Sequence, residues 1–424
     1  MNKFNKVFFI DGVRTPFQIS GTGYKNLNCY QLATSSLNLL SQKFNHINNN
    51  VDEVVIGNVI QDSKTSNVAR ESMMISNFNK IIPSHTVTMA CISSNKAITD
   101  GFNNITIGKS SSVIAGGVET MSDLPIKLSK PLRKKLFESR KWKTLKDQIH
   151  GITSIKLKDI GIEVPSITEF STKETMGYSA DKLSLKWGVS RKDQDEFAFR
   201  SHILASKAER NNLLTDVGNI NVPELITNDN VIKHDSDLDK LSMLKPVFVK
   251  DIGTITAGNS SSLTDGASAC LLANQQHIEE FNLSPKTEII DYIYYGTNPK
   301  DELLLGPAYA TSKLLEINNM KVSDIDVFEI HEAFAGQVLA NLNALNSDSF
   351  SDDLKLKTKV GEIPIEKINT WGGSLSLGHP FGATGVRLLT MASNRLKESD
   401  GEYGLITACA AGGLGHAMLI KNIK

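Results

Sequence analysis

The chain has 424 residues, 40% of them hydrophobic and 22% charged, within the range of soluble globular proteins and long enough for two or three domains. Its 46 Lys and Arg balance 46 Asp and Glu, which excludes a global field aimed at nucleic acid or at an acidic partner. The four cysteines, Cys29, Cys91, Cys270 and Cys409, show neither CxxC nor Cys/His metal spacing and are too sparse for a disulfide framework, so reduced thiols and no metal are expected.

The chain opens MNKFNKVFFIDGVRTPF, in which Val7–Ile10 reads as a strand. No signal-peptide apolar region or Arg/Ser-rich leader is visible, and no apolar run approaches the roughly 20 residues of a membrane span, so a soluble cytoplasmic protein is expected. Further β-branched runs predict strands at 54–59, 112–115, 269–273, 326–330, 404–408 and 417–420. They alternate with helical patterns near 30–44, 94–107, 191–212, 309–317, 333–346 and 382–397, which predicts α/β layers. The two halves echo each other. VDEVVIGNVI at 51 resembles VSDIDVFEIH at 322, and SSVIAGGVETM at 111 resembles GLITACAAGGLG at 404, in the same order, as a duplication would leave them.

Residues 126–245 break this rhythm and read as an inserted domain between an N-terminal half (1–125 plus 246–277) and a C-terminal half (278–424). Its first part, Lys127–Lys158, holds 11 Lys/Arg against Glu138 and Asp147, a local net charge of 11 − 2 = +9. Trp142, Leu145, Ile149 and Ile152 recur there at helical spacing while Arg140, Lys141, Lys143 and Lys146 spread around the rest, as in helices that lie on a membrane surface. A solvated helix packed on its own domain has the same pattern.

Four segments place a reactive side chain beside small residues. In TVTMACISSNKAI, Cys91 ends a strand-like run just before a helical pattern, and the positive end of a helix dipole is expected to lower its pKa, although a single free cysteine is more often buried structure. In NTWGGSLSLGHPFGATGVRLL, glycines at 372, 373, 378, 382 and 385 surround His379, so the loop presents an imidazole rigidly rather than packing it. In YGLITACAAGGLGHAML, Cys409 precedes small residues whose amides suit an oxyanion hole, or merely a tight turn. In DVFEIHEAFAGQVLAN, His331 closes a strand ahead of a helix, where a core or capping histidine is the ordinary case.

Taken together these segments carry a family resemblance. VRTPF, Cys91 in its strand-to-helix context, GGVETMS, TAGNSSSLTDGA at 256–267, HEAFA, LGHPFGATG and CAAGGLG occur in the order found in thiolases, over essentially the whole chain. HEAFA in place of the NEAFA of most thiolases, with STKETMGYSADKL, LLLGPAYAT and WGGSLSLGHPFGATG, resembles the branch that forms the thiolase (beta) subunit of the fatty-acid β-oxidation complex. The resemblance implies two similar α/β halves in a five-layered core, with an inserted loop domain. It implies cleavage of 3-ketoacyl-CoA by CoA into acetyl-CoA and a shortened acyl-CoA.

By the same resemblance Cys91 is the nucleophile, His379 its base, and Cys409 the acid/base for the acetyl-CoA enolate and the incoming thiol. His331 belongs to the oxyanion hole of the thioester carbonyl, and the amides of Cys91 and Ala411 form a second hole, with Ala411 standing where many thiolases have Gly. Ala257, Ser261, Leu263, Met176 and Phe334 are implied contacts for CoA, a co-substrate rather than a tightly bound cofactor. A dimer or larger assembly, a hydratase/dehydrogenase alpha subunit and peripheral membrane contact through 127–158 are the implied partners. For that basic segment, anionic lipid, an acidic partner face and the phosphates of CoA all remain open. The rival readings are a biosynthetic acetoacetyl-CoA thiolase, a 3-ketoacyl synthase using Cys91, His331 and His379, and a non-catalytic acyl-CoA scaffold. Cys409 speaks against the synthase, which obtains its carbanion by losing CO2 and has no use for a second thiol.

Overall fold

The computed structural model describes residues 4–166, 168–221 and 224–424. Nine strands form one path: β1 (Val7–Arg14), β2 (Glu53–Asn58), β3 (Ser84–Val87), β4 (Ser112–Glu119), β5 (Thr264–Ala273), β6 (Thr287–Gly296), β7 (Val327–Ile330), β8 (Tyr403–Ala410) and β9 (Leu414–Asn422). Their spatial order is β7-β8-β9-β6-β1-β5-β4-β2-β3, and a short strand at Gln18–Ile19 pairs with β5 off this path.

The path is two copies of one arrangement. Outward from the seam run β1-β5-β4-β2 on one side and β6-β9-β8-β7 on the other, each with two antiparallel pairings followed by a parallel one. The segments that echo each other in sequence, at 51 and 322 and at 111 and 404, form the equivalent strands β2 and β7 and β4 and β8. The seam itself is only Val7–Phe9 against Thr287–Ile289. Strand β6 has no clean apolar pattern because Glu288 and Asp291 interrupt it. Glu288 pairs with Lys6 at 3.0 Å, Asp291 accepts from the Asn318 amide at 2.9 Å, and the register slips between Ile289 and Asp291.

Helices close the layers. Helices α1 (Cys29–Lys43) and α2 (Val68–Ile75) cover the outer face of the N-terminal half. Helices α3 (Ser93–Thr106) and α10 (Thr384–Ser399) pack between the two sheet halves around Ile98, Val386, Leu389 and Ile406. Helices α8 (Gly306–Ile317) and α9 (Ala335–Leu345) cover the C-terminal half, so the order is helix, sheet, helix, sheet, helix. Burying each large apolar side chain in these three cores contributes about 1.5–3 kcal/mol, which is what holds so short a seam together.

The insertion contains α4 (Lys130–Glu138), α5 (Leu145–Thr153), α6 (Met176–Lys186) and α7 (Arg191–Arg210). It is riveted to β1 by buried Arg14, whose guanidinium bonds Asp216 at 2.9 Å and Asp229 at 2.6 Å. The expected single apolar face from Trp142 to Ile152 needs correction. Thr144 and Asp147 form a reciprocal cap that starts α5 at Leu145, and Trp142 folds back over Gly151, where a Cβ would lie 2.2 Å from the indole. Leu145, Ile149 and Ile152 do share an open face, at 72%, 56% and 63% exposure. Among the described residues no helix is long and apolar enough to cross a membrane.

Candidate active site

Cys91 sits on an elbow between β3 and α3. Ala90 takes φ +46°, a left-handed conformation that costs a side-chain-bearing residue about 1–2 kcal/mol. Ser93 holds it there, its hydroxyl donating to Ala90 O at 2.6 Å and accepting from Met89 N–H at 2.8 Å. Gly57 on β2 lies beneath, where a Cβ would come within 2.4 Å of the Ser93 carbonyl carbon. The elbow leaves Cys91 partly exposed, whereas Cys29, Cys270 and Cys409 are buried.

The expected low pKa of Cys91 is not what the surroundings produce. Burial of the sulfur pushes the thiol up to about 11, with Glu119 adding to the rise, although backbone amides of Ala411 and of Cys91 itself pull the other way. Desolvation is the largest of these effects, and it favours the thiol over the thiolate.

Cys409, near the end of β8, is raised still further by burial and then by the proximity of Cys91, so the two thiols lie within each other's electrostatic reach. The chain turns immediately after at Gly412 (φ +85°) and Gly413 (φ +71°), which only glycine adopts without strain. Glu169 of the insertion accepts the Gly412 N–H at 2.7 Å and steadies that turn. Ala411, one residue earlier, points its amide at the Cys91 sulfur.

His379 follows a single helical turn, Ser374–Leu377, and Gly378 at φ +96°. Its ring Nδ1 lies 2.7 Å from Thr384 Oγ1, and that hydroxyl donates its one hydrogen to Pro380 O at 3.1 Å. With the hydroxyl hydrogen assigned to Pro380 O, Nδ1 carries the imidazole proton, and the buried Nε2, without a protein partner, keeps its lone pair. Burial followed by Arg387 lowers the ring to about 3, so it is neutral. The following segment packs on the start of α3, with Val386 N–H donating to Ser94 Oγ at 3.3 Å and Gly382 N–H to Glu119 at 3.1 Å.

His331 leaves β7 with its N–H on Thr407 O at 2.8 Å, and its ring centroid is 4.1 Å from that of His379. It too is neutral, held well below the usual range by burial, His379 and Arg387. Glu332 docks the two histidine arms together: it accepts from Asn369 at 2.7 Å, Ser201 at 2.8 Å and Leu375 N–H at 3.1 Å. A Cβ at Gly373 would stand 2.2 Å from the Glu332 carboxyl carbon, so only glycine fits.

Of the expected CoA contacts, Ala257 lines an open cleft of about 330 Å³ with His202, Lys233, Lys240, Ser260 and Leu375. Ser261 N–H donates to Ala333 O at 3.0 Å, Ser260 bridges to Phe334, and Leu263 bridges to His379, so this strip lies along the histidine arms. Phe334 packs edge-to-face on Phe248 at 6.2 Å, and Met176 borders the same C-terminal core. Sequence reasoning passed over Lys233, Lys240, Glu119, Glu332, Ser374 and Thr384. Glu119 lies in GGVETMS, Glu332 in HEAFA, and Ser374 and Thr384 in WGGSLSLGHPFGATG, but their residue types alone carry no signal. Among the described residues no His/Cys/Asp/Glu group suits a metal ion.

Comparison with known proteins agrees along the whole chain. The family models described as thiolase, N-terminal domain and thiolase, C-terminal domain match residues 7–276 and 283–422. Trifunctional enzyme subunit beta, mitochondrial, of Bos taurus is 50% identical over 418 residues, covering 98% of this chain and 88% of that protein. A probable 3-ketoacyl-CoA thiolase of Caenorhabditis elegans is 48% identical over 420 residues, 98% of this chain and 94% of that one. Among solved structures, human mitochondrial 3-ketoacyl-CoA thiolase in complex with CoA matches with TM-score 0.83 and 28% identity over 99% and 98% of the two chains. Acetyl-CoA acetyltransferase of Bacillus anthracis matches with TM-score 0.85 and 30% identity over the full length of both.

Proposed function

The chain belongs to the thiolase family, and from that premise we propose how its own residues divide the work of a 3-ketoacyl-CoA thiolase. The reaction cleaves 3-ketoacyl-CoA with CoA into acetyl-CoA and an acyl-CoA two carbons shorter, in fatty-acid β-oxidation. The observation that carries the assignment of roles is the pairing of a partly exposed thiol, Cys91, with a buried second thiol, Cys409, within its electrostatic reach, in a chain whose His331 and His379 rings are packed 4.1 Å apart.

Breaking a carbon–carbon bond beside a ketone needs an acceptor for the acyl half and a proton for the carbanion half, and one group cannot be both at once. Cys91 attacks the C3 carbonyl while its proton passes to His379 Nε2. The C2–C3 bond breaks, leaving acyl-Cys91, and Cys409 protonates the departing acetyl-CoA enolate. The Cys409 thiolate then takes the proton of CoA, whose sulfur attacks the acyl group, and His379 returns its proton to Cys91. The amides of Cys91 and Ala411 face the tetrahedral oxygen, and His331 faces the thioester oxygen that gains charge in the enolate. Ala257, Ser261 and Leu263 follow the pantetheine, with Met176 and Phe334 along the channel. Loss of 3-ketoacyl-CoA absorbance on addition of CoA tests the activity, and its absence in folded protein would refute it.

The bovine relative is by name a beta subunit of a trifunctional enzyme, and a hydratase/dehydrogenase alpha subunit is the partner proposed here. Strand β3 ends the sheet with an open edge, which a second copy would complete in a dimer. The open face of α5, beside exposed Leu136, Phe137 and Leu157, together with the local +9, suits an anionic membrane surface. A cytoplasmic location, expected from the sequence, is tested by cell fractionation.

A further inference from the structure

We propose that Ser374, itself held by Arg387, fixes His331 as the Nε2–H tautomer and so makes it a hydrogen-bond donor toward the reacting thioester; the proposal rests on the thiolase reading above. Ser374 Oγ lies between Arg387 Nη2 at 2.6 Å and His331 Nδ1 at 2.8 Å, and all three residues are fully buried. A guanidinium only donates, so it occupies a lone pair of the serine oxygen. The serine hydrogen then has His331 Nδ1 as its one acceptor among the described contacts, and leaving a buried hydroxyl hydrogen unmatched costs about 1–3 kcal/mol. Nδ1 is thus the acceptor. The neutral ring carries its single proton on Nε2, which has no protein partner and stays free for a ligand. Arg387 is anchored from behind by Glu329 at 3.6 Å, which also binds Arg395 at 2.5 Å.

The neighbouring ring is set the opposite way. Thr384 spends its hydrogen on Pro380 O and accepts from His379 Nδ1, which leaves His379 Nε2 bare. Two imidazoles 4.1 Å apart therefore present one acceptor and one donor. The reaction needs that asymmetry, since one ring must take the Cys91 proton while the other meets an oxygen becoming negative. Exchanging the two tautomers would leave the thiol without a base and the enolate without a donor. Ser374 and Arg387 act here as positioning residues, touching no substrate.

The test compares Ser374→Ala in the native and the His331→Asn backgrounds, because an asparagine amide donates without any tautomer to set. In the native background kcat for thiolysis is expected to fall about 10- to 100-fold, below the loss of a whole oxyanion donor, with KM for CoA within about twofold. In the His331→Asn background the added Ser374→Ala is expected to change kcat less than about twofold, since no donor depends on the serine there. Equal losses in both backgrounds, or none in the native one, would overturn the proposal. Nitrogen NMR of ¹⁵N-histidine-labelled wild-type protein reads the tautomer directly, with His331 assigned by its disappearance in His331→Asn. A protonated Nε2 supports the relay and a protonated Nδ1 overturns it, even if Ser374→Ala does not fold. Wild-type protein without thiolysis would sink the functional reading instead, while the spectrum still decides the tautomer.

Discussion

Alkylation of Cys91 in the free enzyme should accelerate with pH and show no plateau until about pH 10 or above. With the thiol raised to about 11 from an ordinary 9.0, the thiolate fraction at pH 7 is roughly 10⁻⁴ instead of roughly 10⁻². Burial also lowers His379, to about 3, so transfer of the Cys91 proton to it is opposed by desolvation at both ends. Desolvation thus disfavours a resting thiolate–imidazolium pair, and the proton is expected to move as the substrate carbonyl gathers charge between the amides of Cys91 and Ala411. The assay is the second-order rate of iodoacetamide labelling from pH 6.5 to 10.5, with mass-spectrometric mapping of the modified cysteine. Cys91 should be labelled first because the other three thiols are buried, and saturating acyl-CoA should protect it. A rate that levels off with a midpoint below pH 8 would show that the helix terminus outweighs desolvation and would refute the reasoning. First labelling of Cys29 or Cys270 would refute the nucleophile assignment.

Cys91→Ala should abolish acyl-enzyme formation, whereas Cys409→Ala should still take an acyl group from a simple acyl-CoA while losing thiolysis by about 10²-fold or more; near-wild-type cleavage by Cys409→Ala would favour the synthase chemistry. Burial depresses His202 to about 4 and His379 and His416 to about 3, and lowers His331 as well, all from 6.5. Because the fold favours their neutral forms, the stability they contribute is complete above about pH 6.5 and is lost as pH falls toward 3, at up to about 1.4 kcal/mol per pH unit for each. A calorimetric midpoint that stays level from pH 7 to 4 would contradict this. Arg14→Ala strands Asp216 and Asp229 and should cost about 3–5 kcal/mol, read from the denaturant midpoint; a loss under about 1 kcal/mol would mean that the insertion is held by other contacts. Co-sedimentation with anionic vesicles should be strong at low salt and weaken at high salt; no binding at low salt would eliminate the lipid role of residues 127–158.

The sequence by itself determined the features that depend on local pattern. β-Branched runs and helical periodicity located most strands and helices, and the echo between 51 and 322 and between 111 and 404 marked equivalent strands, because burial on both faces imposes the same apolar run wherever the copy lies. The glycines around His379 and after Cys409 were legible for a similar reason: a left-handed backbone strains most side-chain-bearing residues and a 2.2 Å approach excludes them, so glycine is favoured at such positions. Strand β6 was hidden because the partners of its two acids, Lys6 and Asn318, are remote in the chain or beyond the strand's own pattern. Trp142 was misplaced because helical spacing does not register the cap at Thr144. The tertiary structure alone decided the electrostatics of the site. The thiol of Cys91 is raised chiefly by desolvation against the pull of two backbone amides, and the polarity of each imidazole depends on a hydroxyl brought in by folding. His331 takes its partner from Ser374, 43 residues on, and the turn after Cys409 takes its own from Glu169, 243 residues back. Desolvation and long-range hydrogen bonds depend on which residues meet in space, and no local periodicity encodes that meeting.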